Sequence, residues 1–365
     1  MSISNQIPRR AFLTATGLAV AGAAAGAAAV PLFGPRTAAA HDTTCACLTS
    51  WSGVWSVAKV SGKYLALAGL IDAGTLEIRR LDVAADKRLT VGARYTVDFP
   101  AGFLPSQVFG FGDRFLVGGG VEAEAGRVTV DYTADPAVLA SPYLVGYSPE
   151  FDSGVVEVPM TTLRPALFEI VGKELRELPL GAAVDGLGWG HVGNIAAVSS
   201  TGLVALVSGS TSFESAFGEQ IVVADSADGG ASWTGTTIAA GLGESRPGAL
   251  TVTGDALLAT TVNQEDRRTF LQRPLGSAQS WTPADAGTDG QILSTVAGRD
   301  GAVVFDADGD RIRRRPWSTK AAAWTGAPTD ARLAGQPVHA VLTIGGAPAE
   351  WIAVTQNDAH LVTEA

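Results

Sequence analysis

The chain has 365 residues, with 26 lysines and arginines against 36 aspartates and glutamates, a net charge of −10. That sign repels polyphosphates and anionic lipid, and excludes nucleic acid as an expected partner. Hydrophobic residues make up 46% and glycines number 44, which suits a core divided by many tight turns better than a set of long helices.

Residues 1–40 read as an export leader. Arg9-Arg10-Ala11-Phe12-Leu13 resembles the twin-arginine export motif, and the resemblance implies a cargo that is folded before it is shipped. A mildly apolar Ala/Gly run follows from Thr14 to Val30, and Pro31 interrupts it. Ala38-Ala39-Ala40 then supplies a small-residue processing site, so the mature chain is expected to begin at His41. No later stretch reaches the ~18 apolar residues of a spanning helix, so no stable membrane span is expected after cleavage. The destination is secreted or extracytoplasmic, at the cell surface.

Residues 41–50 form an N-terminal arm with the two cysteines, Cys45 and Cys47. A local or intermolecular disulfide, free thiols, and metal or redox chemistry are the three readings. Two ligands do not make a zinc site, and a Cys-x-Cys disulfide is strained.

From residue 51 to 365 strand-like runs recur without a linker, and the stretch reads as one domain. The runs taken as blade openings are Tyr64–Ala68, Arg114–Val117, Val155–Val158, Leu203–Val207, Ala256–Thr260, Ala302–Phe305 and Trp351–Val354. Their spacing of about 45 to 50 residues is that of propeller blades, and small residues alternate with large ones, as in crowded inner strands. The expectation is an all-β propeller of seven four-stranded blades. Six is the alternative, because residues 136–165 are irregular. Trp51–Val60 is expected to pair into the last blade and close the ring.

Gly188-Trp189-Gly190-His191-Val192-Gly193 matches Gly-x-Gly-x-x-Gly, but it lacks the preceding strand and following helix of a dinucleotide site. It reads as a glycine-rich loop on a propeller face. Trp189 and His191 are the candidate ligand contacts there, with buried packing as the competing reading.

Ser226-Ala227-Asp228-Gly229-Gly230-Ala231-Ser232-Trp233 follows a β-branched run and has strong turn chemistry. Asp228 and Ser226 can accept backbone N–H bonds, and Trp233 can lie beneath the turn. The positions Ser226, Asp228, Gly230 and Trp233 resemble the Asp-box, or BNR repeat, of sialidases and related propellers. The resemblance implies a turn between the third and fourth strands of a blade. Trp281-Thr282 and Trp324-Thr325 repeat Trp233-Thr234 at spacings of 48 and 43 residues. Gly276 and Thr319 stand there in place of Asp228, and Ala278 and Ala321 in place of Gly230.

Asp306, Asp308 and Asp310 surround a further turn and are weak calcium candidates, the alternative being a solvated hairpin tip. Arg311, Arg313 and Arg315 alternate on the next strand, as a solvated outer face or a carboxylate-binding patch.

No catalytic set can be assigned. His-Glu-x-x-His, Gly-x-Ser-x-Gly and a phosphate loop are missing from the sequence, and its four histidines are scattered. Nor can the arginine triad and the tyrosine–glutamate pair of sialidases be placed. No cofactor is expected. The leading expectation is an exported, non-catalytic propeller that binds a protein or glycan partner at or outside the cell surface. The alternatives are a secreted glycoside hydrolase of sialidase-like type and an assembly or stability factor for a membrane-associated complex.

Overall fold

The computed structural model describes residues 39–41, 53–60, 64–71, 74–83, 89–131, 155–210, 220–238, 245–263, 268–276, 281–285, 291–298, 301–308, 311–332, 338–343, 350–355 and 359–363. Strands pair antiparallel into six sheets. Blade 1 is Gly53–Val60, Tyr64–Leu70, Thr75–Val83 and Leu89–Asp98. Blade 2 is Phe103–Phe111, Arg114–Asp131, Val155–Val171 and Glu174–Glu177. Blade 3 is Trp189–Ala197, Leu203–Ser210, Gln220–Ser226 and Thr234–Ile238. Blade 4 is Ser245–Val252, Ala256–Asn263, Arg268–Pro274 and Thr282–Asp285. Blade 5 is Gln291–Gly298, Gly301–Asp308, Arg311–Ser318 and Ala323–Trp324, with Thr329–Arg332 as a fifth strand. Blade 6 is Val338–Thr343, Glu350–Thr355, Ala359–Thr363 and, from the other end of the chain, Ala39–His41. The first strands of successive blades lie side by side, and the sixth returns to the first, which makes the ring of a β-propeller.

The nearly unbroken apolar runs follow from this stacking, because both faces of a blade are covered. In blade 3, Val222 and Ala224 pack toward Leu116 and Leu167 of blade 2. Ile221 and Val223, on the alternate face, pack toward Leu250, Leu257 and Leu271 of blade 4. Phe270 of blade 4 meets Val304 and Trp317 of blade 5, with the Phe270 and Trp317 rings 4.4 Å apart, edge to face.

Each first strand carries a β-bulge at a similar depth: Val54/Ser56, Pro105/Gln107, Val192/Asn194, Pro247/Leu250, Ile292/Ser294 and Val338/Ala340. A bulge leaves backbone groups outside the ladder. Neighbouring blades satisfy several of them. Ser106 Oγ donates to the Val192 carbonyl, Ile195 N–H donates to Gln107 Oε1 (2.7 Å), and Asn194 donates to the Gly248 carbonyl. Thr251 Oγ1 donates to the Thr295 carbonyl at 2.6 Å. The inner ring is therefore hydrogen-bonded from blade to blade as well as packed.

Neither seven four-stranded blades nor six of them is what the chain forms. Five sheets are four-stranded, and in blade 5 two short strands share the outer edge of Arg311–Ser318. The spacing argument overcounts at Val155–Val158. That run begins the third strand of blade 2, whose central hairpin is longer than any other. The remaining six runs are second strands rather than innermost ones. Ring closure also differs from expectation. Among the described residues Gly53–Val60 pairs within blade 1 and with no other sheet, and the closing strand is Ala39–His41 against Ala359–Thr363. The Arg9-Arg10 motif, Cys45 and Cys47 lie outside the described residues.

Ser226–Trp233 joins the third and fourth strands of blade 3. Gly229 and Gly230 both have positive φ, 74° and 94°, which a Cβ would oppose. Ser226 Oγ accepts from Gly230 N–H (2.9 Å) and donates to Asp228 Oδ1 (2.8 Å). Asp228 also accepts from Ser232 N–H (2.9 Å) and Ser232 Oγ (2.5 Å). Arg114 reaches across from blade 2 to donate to the Gly229 carbonyl at 3.1 Å. Trp281 stands at the entry to the outer strand of blade 4, and Trp324 closes the two-residue outer strand Ala323–Trp324 of blade 5. Trp281 is buried under the Arg273 guanidinium, and Trp324 packs on Trp317.

The hydrogen bonds from Ser232 and Ser226 hold the Asp228 carboxyl down to about 2. A depressed carboxyl contributes stability above its ordinary range near pH 4, and that contribution is lost as pH falls through about 2. Asp228→Asn should therefore unfold at lower urea than the parent at pH 6, and the gap should narrow as pH falls from about 4 toward 2. A gap independent of pH would show that the carboxylate charge is not what the turn uses.

Candidate functional site

Alternation of strand direction gives the ring two ends. Turns between third and fourth strands, Ser226–Trp233 among them, lie at one end. The starts of first strands and the links between second and third strands lie at the other. Trp189, His191, Asp306 and Asp308 are all assigned to this second end, although blades 3 and 5 separate the two pairs.

The most distinctive feature of this end belongs to blade 2. The first strand stops at Phe103 opposite Val121, and the fourth pairs only with Phe168–Val171. Beyond Glu122 and Leu163 the second and third strands continue, among the described residues, with only each other as ladder partners, to Asp131 opposite Val155. They make a two-stranded arm with a bulge between Glu124 and Gly126. Among the described residues each arm strand has one edge without ladder partners, a place where Pro159 is tolerated. The register pairs Gly126 with Met160, Val128 with Val158, and Val130 with Val156 on one face. Arg127/Pro159, Thr129/Glu157 and Asp131/Val155 fall on the other. The arm's base is fixed: Glu122 N–H donates to the Gly102 carbonyl at 2.8 Å, and Thr162 Oγ1 donates to the Gly188 carbonyl. Sequence reasoning missed the arm. Its signal was the pair of alternating runs, Val128–Asp131 and Val155–Val158, flanking the irregular stretch.

The Thr162–Gly188 bond sets the arm's base beside Trp189 and His191. These two do not lie on a glycine-rich loop, for Trp189–Ala197 is the innermost strand of blade 3. His191 is 5% exposed, so its ring is a packing element and not a surface contact. The glycines serve close approach. A Cβ on Gly190 would stand 2.8 Å from the Ser208 carbonyl oxygen and 2.9 Å from Pro165 Cγ. On Gly119 of blade 2 it would come within 2.3 Å of the Leu104 carbonyl oxygen.

Asp306 is not at a solvated turn tip. It is 0% exposed in the second strand of blade 5. Arg313 Nε donates to one of its oxygens, and Arg315 Nε stands 3.4 Å from the other. Burial pushes its carboxyl up, against the hydrogen bond and charge of Arg313 and the charges of Arg315 and of Arg268 in blade 4. Arg313 and Arg315 are nearly buried, so theirs is not a solvated face, and Arg315 lies over the Trp324 ring. The register sets Asp308 opposite Arg311 and Asp330 opposite Arg313. Asp310 lies outside the described residues. Among the described residues no group of three or more His, Cys, Asp or Glu could hold a metal ion.

Charge is used similarly elsewhere in the ring. Arg273 of blade 4 binds Asp225 of blade 3 with both terminal nitrogens, at 2.6 and 2.9 Å. Glu77 and Arg79 pair within blade 1. Glu169 in blade 2 pairs with Arg176 and stands 3.5 Å from Arg114. These side chains brace blades, and their guanidiniums and carboxylates are engaged with one another.

No family model matches the chain, and no curated protein matches it. Solved structures do. A luciferin-regenerating enzyme is similar at TM-score 0.53 and 11% identity, over 89% of this chain and 95% of that one. A protein of unknown function from Dyadobacter fermentans has TM-score 0.52 and 9% identity, over 90% and 98%. A gluconolactonase from Xanthomonas campestris has TM-score 0.51 and 10% identity, over 92% and 100%. At such identities the likeness is one of fold, the β-propeller, and the luciferin-regenerating enzyme and the gluconolactonase differ in function from each other.

Proposed function

We propose that the chain is an exported, non-catalytic β-propeller that binds a protein partner through the end of the ring bearing the blade 2 arm. The arm carries this reading. A two-stranded hairpin is at best marginally stable in water, and the register places Val128, Val130, Val156, Val158 and Met160 at positions of one face, a pattern that suits pairing with a protein surface. A protein surface covers such a face better than a glycan does. The Arg9-Arg10 motif and the Ala38–Ala40 site support export to the cell surface or beyond. The turn at Ser226–Trp233 supports kinship with Asp-box propellers, with the turn as a blade lock at the end away from the partner.

Removing the arm tests the reading. Residues 123–162 would be replaced by Asn-Gly, a two-residue turn between Glu122 and Leu163, which stand opposite each other. The shortened protein should unfold within a few degrees of the parent. It should lose at least about tenfold of the affinity for any envelope or extracellular protein that the parent captures, a difference near 1.4 kcal/mol. Undiminished capture would remove the arm from the binding surface. Hydrolysis of any member of a glycan panel by the purified parent would replace the reading with that of a glycoside hydrolase.

A further inference from the structure

The outermost position of blade 6 is filled by Ala39, Ala40 and His41, opposite Thr363, Val362 and Leu361. These residues straddle the bond after Ala40, where Ala38-Ala39-Ala40 marks the expected processing site. The segment is thus required for two incompatible things. Hydrolysis needs the backbone on both sides of the bond laid into an enzyme's cleft, whereas pairing holds that backbone in the sheet.

Resting on the export reading above, we propose that cleavage after Ala40 vacates the outermost position of blade 6 and turns Ala359–Thr363 into a docking edge for an extended strand of a partner protein. Cleavage adds one water across the Ala40–His41 amide, leaving a carboxylate on Ala40 and an ammonium group on His41. Two of the three residue pairs depart with the leader, and the third keeps only a charged chain end opposite Leu361. Ala359–Thr363 stays paired on its inner side with Glu350–Thr355, so the strand persists while its outer edge is left without ladder partners. The occupant is specified by what sits there before the cut: an antiparallel backbone, matched residue for residue. Donors and acceptors repeating at strand spacing recognise a polypeptide rather than a sugar. Docking would restore a fourth strand to the blade that closes the ring.

The test uses two purified chains, one beginning at Pro31 and keeping the junction, the other beginning at His41. Amide exchange over Ala359–Thr363 should be about tenfold or more faster in the His41 chain, with Val338–Thr343 little changed. A synthetic peptide of residues 36–42 at millimolar concentration should slow it again. Equal exchange in the two chains would mean that residues after His41 refill the position, and would overturn the proposal. So would a peptide that leaves the fast exchange untouched. The mass of the exported protein separately tests the reading beneath it: a first residue other than His41 overturns that processing step, whatever the exchange data show.

Discussion

Asp306→Ala is expected to lower the unfolding free energy by about 3–5 kcal/mol, the usual cost of removing one partner from a buried ion pair. The carboxylate is sealed from solvent, and Arg313 and Arg315 lie against it with side chains 12% and 16% exposed. Without Asp306 the two guanidiniums remain where water reaches them poorly, and the charge of Arg268 in blade 4 no longer meets this carboxylate. Burial pushes the Asp306 carboxyl up while the arginines pull it down, so desolvation opposes the pairing. A second outcome follows. Asp306→Leu combined with Arg313→Met should recover much of the loss, since an apolar replacement for a buried pair is often neutral. Urea titration of the single and double variants checks both statements. A single variant as stable as the parent would mean that the arginines relax into solvent and that the contact between blades 4 and 5 does not depend on this charge.

Trp233→Ala should cost about 3–5 kcal/mol, the range for emptying a buried aromatic site. The ring is 9% exposed and packs in one cluster with Leu178, Leu203, Val222 and Ala224. Its Nε1–H donates to the Gly230 carbonyl at 3.0 Å, so the side chain both fills space and closes the turn above it. Trp233→Phe separates the two roles. It keeps most of the packing and loses the hydrogen bond, and should cost about 1 kcal/mol plus a small cavity term. Gly229 N–H also donates to the Thr201 carbonyl at 2.7 Å, and Arg114 binds the Gly229 carbonyl, so loosening the turn releases contacts to a second hairpin and to the preceding blade. Thermal unfolding of both variants is the measurement. Equal midpoints for Ala and Phe would show that the ring's volume is not what matters.

How much of this was legible in the sequence depends on the range of the interaction. The Ser226–Trp233 turn was legible because the hydrogen bonds among its own residues join positions at most four apart in the chain, whereas its bonds to Thr201 and Arg114 were not legible. The all-β class was legible because short β-branched runs such as Ile221–Ala224 recur between glycine-rich turns, and their apolar residues on both faces pack against neighbouring blades. Blade count was not. A β-branched run has the same composition whether it is a second strand or the third strand of a lengthened hairpin, and only pairing shows Val155–Val171 lying against Arg114–Asp131. Closure was not legible either, since Ala39–His41 meets Ala359–Thr363 from the far end of the sequence and so short a strand, Ala-Ala-His, carries no pairing code. Asp306 and its arginines read as solvated because alternation assigns a residue to a face but does not say what covers that face. The neighbouring blade decided it, by excluding water from charges that the local sequence would have left wet.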